Sequence, residues 1–184
     1  VWNGGFTFLG TNSLDLSNGP VLLGADATVN VQAGSLKVAG VSGAFGLGKS
    51  GLGTLMLSGV NTYAGPTTVL GGTLVINGSQ ALPAGSNVYA ESGATVLLLN
   101  GAQLNYLQGA GALVYGPGAN AVLGLAGVSD ETSILLSGSG AFTKVGTGTT
   151  IITSLSTNTG KTRILNGALS VSTINRVVGG VGAS

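Results

Sequence analysis

Five carboxylates are the first residues to weigh for chemistry: Asp15, Asp26, Glu91, Asp130 and Glu131. Two carboxylates cleave a glycosidic bond when they stand roughly 5–9.5 Å apart across it. Only Asp130 and Glu131 are close in sequence, and neighbouring strand residues point to opposite faces. A solvated turn is the simpler reading of that pair, and the other three are scattered acids that keep a surface wet. A polysaccharide lyase would want an acidic Ca²⁺ cluster with a basic residue beside it, and no such cluster is visible. The chain has no histidine and no cysteine. A Ser-His-Asp triad is therefore impossible despite abundant Ser and Thr, and thiol nucleophiles and thiolate metal sites are excluded. No residue is assigned a catalytic, cofactor-binding or metal-binding role, and no cofactor is expected.

Gly43, Gly48, Lys49 and Ser50 satisfy the letters of the phosphate loop G-x-x-x-x-G-K-[ST]. That loop works only between a strand and a helix N-terminus. Here the segment lies among Gly-rich short strands, and its counterpart near Lys144 loses the pattern. Lys49 and Lys144 instead read as exposed corner residues. Lys161 and Arg163 sit two apart and share an outer face, where they could touch anionic glycans. Thr147, Thr149, Thr150, Thr153, Thr157, Thr159 and Thr162 are spaced too irregularly for an ice-binding face, so β-propensity accounts for them. Trp2, Tyr63, Tyr89, Tyr106 and Tyr115 could stack on sugars, although packing at corners or between strands is the simpler role.

The elements that must carry these residues are short strands. Apolar runs such as Thr28–Val31, Ser35–Val38, Thr54–Leu57, Thr73–Ile76, Ala94–Leu99 and Ala168–Val171 are bounded by Gly, Asn, Ser and Pro. No apolar period of 3.6 lasts long enough for a helix. Asn3-Gly4, Asn18-Gly19, Asn77-Gly78, Asn100-Gly101 and Asn166-Gly167 mark sharp corners, because both residue types tolerate positive φ.

Composition supports a packed chain. Glycine supplies 35 of 184 residues, yet 43% are apolar and mean hydropathy is +0.53. Disorder would need lower hydrophobicity and more net charge. The net charge of +1 gives no basic field for nucleic acid. No apolar run approaches the ~20 residues of a membrane helix, and no positively charged, apolar-cored leader opens the chain.

Residues 49–76 reappear at 144–171 without a gap, at a constant offset of 95 (144 minus 49). A fixed internal period points to stacked units, in which one supersecondary piece buries its apolar side against the next. Leu74 and Ile76 match Leu169 and Val171, while Val75 between them becomes Ser170. The tolerant position should face outward and the aliphatic pair inward. Thr67 and Val69 match Thr162 and Ile164 in the same way. Met56 and Leu57 leave the facing open, since Ile151 and Ile152 are both apolar. Upstream, Ser42–Phe45 matches Ser139–Phe142 with a two-residue shift. The whole chain, 1–184, reads as one β-solenoid domain of about two ~95-residue modules.

The stretch KSGLGTLMLSGVNTYAGPTTVLGGTLVI at 49–76 resembles the autotransporter-associated β-strand repeat, K-x-G-x-G-T-L-x-L-S-G-x-N-T-Y-x-G-x-T-x-V-x-x-G-x-L. The second copy departs from it, with Ser156 for Asn61 and Asn158 for Tyr63. The resemblance implies an all-β, right-handed parallel β-helix from a large secreted or cell-surface bacterial protein, and no particular activity. Rungs of about 20–25 residues would give on the order of eight rungs and a rod of roughly 40 Å. Neither the apolar Val1–Phe8 nor the segment from Arg176 to Ser184 looks like a cap. The chain is then a piece of a longer coil, or it self-associates head-to-tail through its ends. The expectation is a non-enzymatic fibre, sheath or stalk element. A surface adhesin for glycans or cells is the alternative, and a lyase-like enzyme is third. Nucleic acid binding and membrane insertion by this segment are not expected.

Overall fold

A computed structural model describes residues 1–102, 104, 106–116, 118–123, 130–133 and 135–172. Each turn of the chain lays one segment on each of three faces and then returns above its starting point. Every strand pairing among the described residues is parallel. In-register partners lie from 17 positions apart (Thr95 to Ala112) to 23 (Ala112 to Leu135). The shortest turns are thus tighter than the 20–25 residues expected. No helix occurs among the described residues.

The second face is one eight-stranded sheet, from Leu14–Asp15 through Ser35–Ala39, Thr54–Ser58, Thr73–Asn77, Thr95–Leu99, Ala112–Tyr115 and Leu135–Gly138 to Thr157–Asn158. It counts eight turns, or roughly 38 Å at ~4.8 Å per turn. The first face begins as six strands, Phe6–Phe8, Ala27–Val31, Leu47–Ser50, Thr67–Val69, Asn87–Ala90 and Tyr106–Gly109. It resumes at Asp130–Thr132, where the Ser133 amide donates to Gly109 O at 3.1 Å, and continues through Thr149–Ile152 to Ala168–Val171. The third face pairs Val21–Leu23 with Val41–Gly43 and later Asn120–Leu123 with Ala141–Lys144 and Thr162–Ile164. Between these it has no paired strands among the described residues. Single bonds hold it there, Thr62 N to Val41 O at 2.7 Å and Leu104 N to Val122 O at 2.9 Å.

The core follows from strand alternation repeated at one register. Leu36, Leu55, Leu74, Val96, Leu113 and Leu136 form one ladder up the second face, all at most 3% exposed. Val38, Leu57, Ile76, Leu98 and Tyr115 form the ladder beside it. Truncating one such leucine to alanine removes about 2–5 kcal/mol of burial and leaves a cavity.

Leu74, Ile76, Thr67 and Val69 face inward as expected, and Leu57 and Ile152 are the buried members of their ambiguous pairs. Val75 lies outside the core cluster yet is only 5% exposed. It stands in register between Met56 and Leu97, whose side chains shield it from above and below. Ile164 is 53% exposed because it lies on the last described strand of its sheet. The shifted match of Phe45 with Phe142 does not hold. Phe45 is 39% exposed and Phe142 only 2%, so Phe142 takes the unshifted place of Leu47, itself 1% exposed.

The two repeat copies are not superimposed along the coil. Lys49 lies on a first-face strand of the third turn, and Lys144 ends a third-face strand of the seventh. The 95-residue period therefore spans four turns and two faces, and the second copy is rotated by a third of a turn.

Candidate functional site

The carboxylates are dispersed over the coil. Asp15 sits on the first turn of the second face, in a salt bridge to Lys37 Nζ at 3.0 Å. It also accepts from Ser17 Oγ at 2.5 Å and Ser17 N at 2.8 Å. The Ser17 hydroxyl and amide, followed by Lys37, hold its pKa down at about 2. Asp26 lies at the corner between third and first faces and accepts from the Gly46 amide at 2.7 Å. Glu91 is exposed on the fifth turn, past Asn87–Ala90. Asp130 and Glu131 belong to the strand Asp130–Thr132, paired with Thr150–Ile152, so the expected turn is a strand. Their side chains lie outside the described residues. Among the described residues no group of three or more metal-ligating side chains gathers.

Lys49 and Lys144 overturn the expectation of exposed corners: they are 1% and 0% exposed. Lys49 occupies an inward position in the ladder Val29, Lys49, Val69, Ala90, so its alkyl stem packs as an aliphatic side chain. Its ammonium then curls over the corner. It donates to Ser50 O at 2.7 Å, Gly51 O at 2.9 Å and, one turn up, Gly71 O at 3.1 Å. Burial lowers its pKa to about 8. The phosphate-loop lettering at Gly43–Ser50 thus runs from the end of one strand across a corner into the strand Leu47–Ser50, whose lysine is already engaged by backbone. Lys144 repeats the arrangement with Val145 O at 2.5 Å and Gly146 O at 3.1 Å.

A second device, missed in the sequence, is Asn61. The third face lacks a paired strand there, and the Asn61 amide bridges three turns instead. Its Oδ1 accepts from Val41 N at 2.8 Å, and its Nδ2 donates to Ser58 O at 3.2 Å and Ala81 O at 2.7 Å. Beside it the buried Tyr63 hydroxyl bonds the Thr67 hydroxyl at 2.7 Å, and desolvation raises the phenol to about 12. The recurrence of Lys with Gly51/Gly146 and Gly72/Gly167 was the available signal for a corner built around backbone carbonyls. These glycines carry φ of +76, +73, +63 and +73.

The aromatic residues divide. Trp2 packs edge-on against Phe6 at 4.8 Å, and Tyr115 stacks on Phe142 at 6.4 Å. Tyr63 and Tyr115 are each 1% exposed. Burial also raises the Tyr115 phenol, whose oxygen has no hydrogen-bond partner among the described residues. Tyr89 is 44% exposed, and Tyr106 is partly exposed on the next turn of the same face. Nearby, the corners at 63–66 and 83–87 enclose an open groove of about 470 Å³. Lys161 and Arg163 are exposed as expected, and the threonines of 147–162 are spread over all three faces. No helix among the described residues is long and apolar enough to cross a membrane, which says nothing of a β-barrel.

The family Passenger-associated-transport-repeat matches residues 47–76 and 142–171. The chain is 39% identical over 130 residues to the Adhesin BmaC autotransporter of Brucella suis biovar 1 (strain 1330), covering 69% of this chain and 4% of the relative. It is 52% identical over 56 residues to an Extracellular serine protease of Serratia marcescens, covering 30% of this chain and 5% of that protein. The chain thus spans about a twentieth of the curated relatives it matches. No solved structure matches it.

Proposed function

Because this chain carries two passenger-associated-transport repeats on one parallel β-solenoid, we propose that it is a non-catalytic stalk segment of a secreted or surface-displayed bacterial protein. The observation that supports this most is the unbroken eight-strand ladder of the second face over a continuous aliphatic core. A rod of this kind holds distant parts of a large protein apart, and its rigidity comes from ladders that each turn extends. The dispersed carboxylates and the engagement of both buried lysines by backbone favour scaffold over enzyme. Phe6–Phe8 forms an outer sheet edge with Trp2, Phe6 and Phe8 half-buried beside it. That edge suits another parallel strand, from the same polypeptide or from a second copy stacked end to end.

Small-angle scattering tests the reading. A cross-section radius that stays constant while length grows by ~4.8 Å per added turn is expected when native flanking sequence is included. A compact sphere, or cleavage of an acidic polysaccharide by the chain, contradicts it. A second reading, a surface adhesin, is favoured by the Brucella suis relative named as an adhesin. Binding to host cells that maps to outward residues of one face separates it from the stalk alone.

A further inference from the structure

We propose that the first face at the fourth to sixth turns is a binding site for a neutral glycan, with Tyr89 and Tyr106 as its stacking platforms. The site goes beyond the stalk reading and does not depend on it, since it needs only this face and its corner. Of the four tyrosines, Tyr63 and Tyr115 are buried, and the other two emerge together on adjacent turns. Their strands pair in parallel, with Asn87 opposite Tyr106 and Tyr89 opposite Gln108. Strand alternation turns Val88, Ala90 and Leu107 inward and leaves these four side chains on the outer surface. The two rings are diagonal neighbours, roughly 7–8 Å apart at the backbone, within the footprint of a disaccharide.

The site is shaped before any ligand arrives. Gln108 Nε2 donates to Tyr106 Oη at 2.5 Å, which fixes that ring against its strand. The groove of about 470 Å³ opens beside Asn87, walled by Pro66 and Pro83. Its far corner is closed on itself, because Ser86 Oγ and Ser86 N both bond Pro83 O, at 2.6 and 3.1 Å. Aromatic faces accept the C–H side of a sugar ring, while amides and backbone at the groove mouth meet its hydroxyls.

Charge decides which glycan. Lys37 is on the second face in its pair with Asp15, Lys49 and Lys144 are buried, and Lys161 and Arg163 lie at the eighth turn. Among the described residues no cation faces this site, and Glu91 stands two residues beyond Tyr89. A sulfated or uronic-acid chain would meet a carboxylate and no counter-charge, so the ligand is an uncharged sugar chain.

The test is titration of the chain with neutral hexasaccharides (β-glucan, α-glucan and mannan) and with oligogalacturonate, read by saturation-transfer NMR and calorimetry. At least one neutral hexasaccharide is expected to bind, at least tenfold tighter than oligogalacturonate. Tyr89→Ala and Tyr106→Ala should each weaken it at least fivefold, and the double variant should abolish it. Met56→Ser on the second face should leave affinity unchanged. Circular dichroism and scattering on the same samples report the fold, so loss of the rod and loss of the site are read separately. The proposal is overturned by preferential binding of the acidic oligomer, by no binding to any neutral probe, or by binding that survives the double variant.

Discussion

The two repeat copies share their backbone corners and differ in their polar fastenings. At 49–76 the lysine caps three carbonyls on two turns, Asn61 joins three turns, and Tyr63 bonds Thr67. At 144–171 the lysine caps two carbonyls of its own corner, Ser156 Oγ is buried with no partner among the described residues, and Asn158 reaches Thr162 only at 3.5 Å. What both keep is glycine with positive φ at 51 and 146 and at 72 and 167. A Cβ at Gly72 would run into the carbonyls of Gly51 and Gly53, and one at Gly167 into those of Gly146 and Gly148. The close stacking of corners is thus the part of the repeat that cannot be traded. The side-chain fastenings are additions that one copy has lost.

This difference sets an order of expected effects. Gly72→Ala should cost the most, about 3 kcal/mol or more, because strain and backbone collision act together. Gly167→Ala should cost visibly less, since Gly167 and its neighbours are exposed whereas Gly72 is partly buried. Chemical denaturation of both variants checks the ranking, and equal losses would break the comparison. Asn61→Ala removes a buried amide that serves three turns and should cost about 2–3 kcal/mol. Ser156→Ala should be neutral or slightly stabilising, because it deletes a buried hydroxyl that has no partner among the described residues.

Lys49→Met keeps the stem and strands three carbonyls, for a loss of about 2 kcal/mol, with Lys144→Met at about half of that. Lys49 adds a pH signature. Its folded pKa is lowered from 10.5 to about 8, so between those values the unfolded chain binds more protons. Stability should therefore rise with pH across that window, and the contribution should vanish in Lys49→Met. A melting series from pH 8 to 10.5 reads it. Tyr63→Phe should cost about 1 kcal/mol for one hydroxyl pair, and Asn158→Ala nothing detectable.

Much of the fold was legible in these same residues. The tolerance of position 75 to serine at 170 revealed which side of the strand packs inward, and the constant offset revealed stacking. The lysines were misread because a lone charge ordinarily seeks water, and one sequence does not show that an ammonium can meet carbonyls at a corner. The rotation of the second copy was hidden, because turns vary from 17 to 23 residues, so an offset of 95 does not by itself fix how many turns separate the copies. The exposed tyrosines beside the groove were legible only as residue types. Which tyrosines emerge depends on register, and 89 and 106 became neighbours through a 19-residue turn (Asn87 to Tyr106).

Every feature of the rod depends on parallel turns stacked one above another in a single register. The chain has no cysteine, so paired cysteines probe that register cleanly. Met56→Cys with Val75→Cys joins direct partners on adjacent turns, whose backbones are about 4.8 Å apart and within disulfide reach. Met56→Cys with Leu97→Cys spans two turns, beyond that reach. Under mild oxidation of dilute monomer the first pair should close fully and the second should stay reduced. Closure of the second pair, or failure of the first in a folded chain, would contradict the stacked coil.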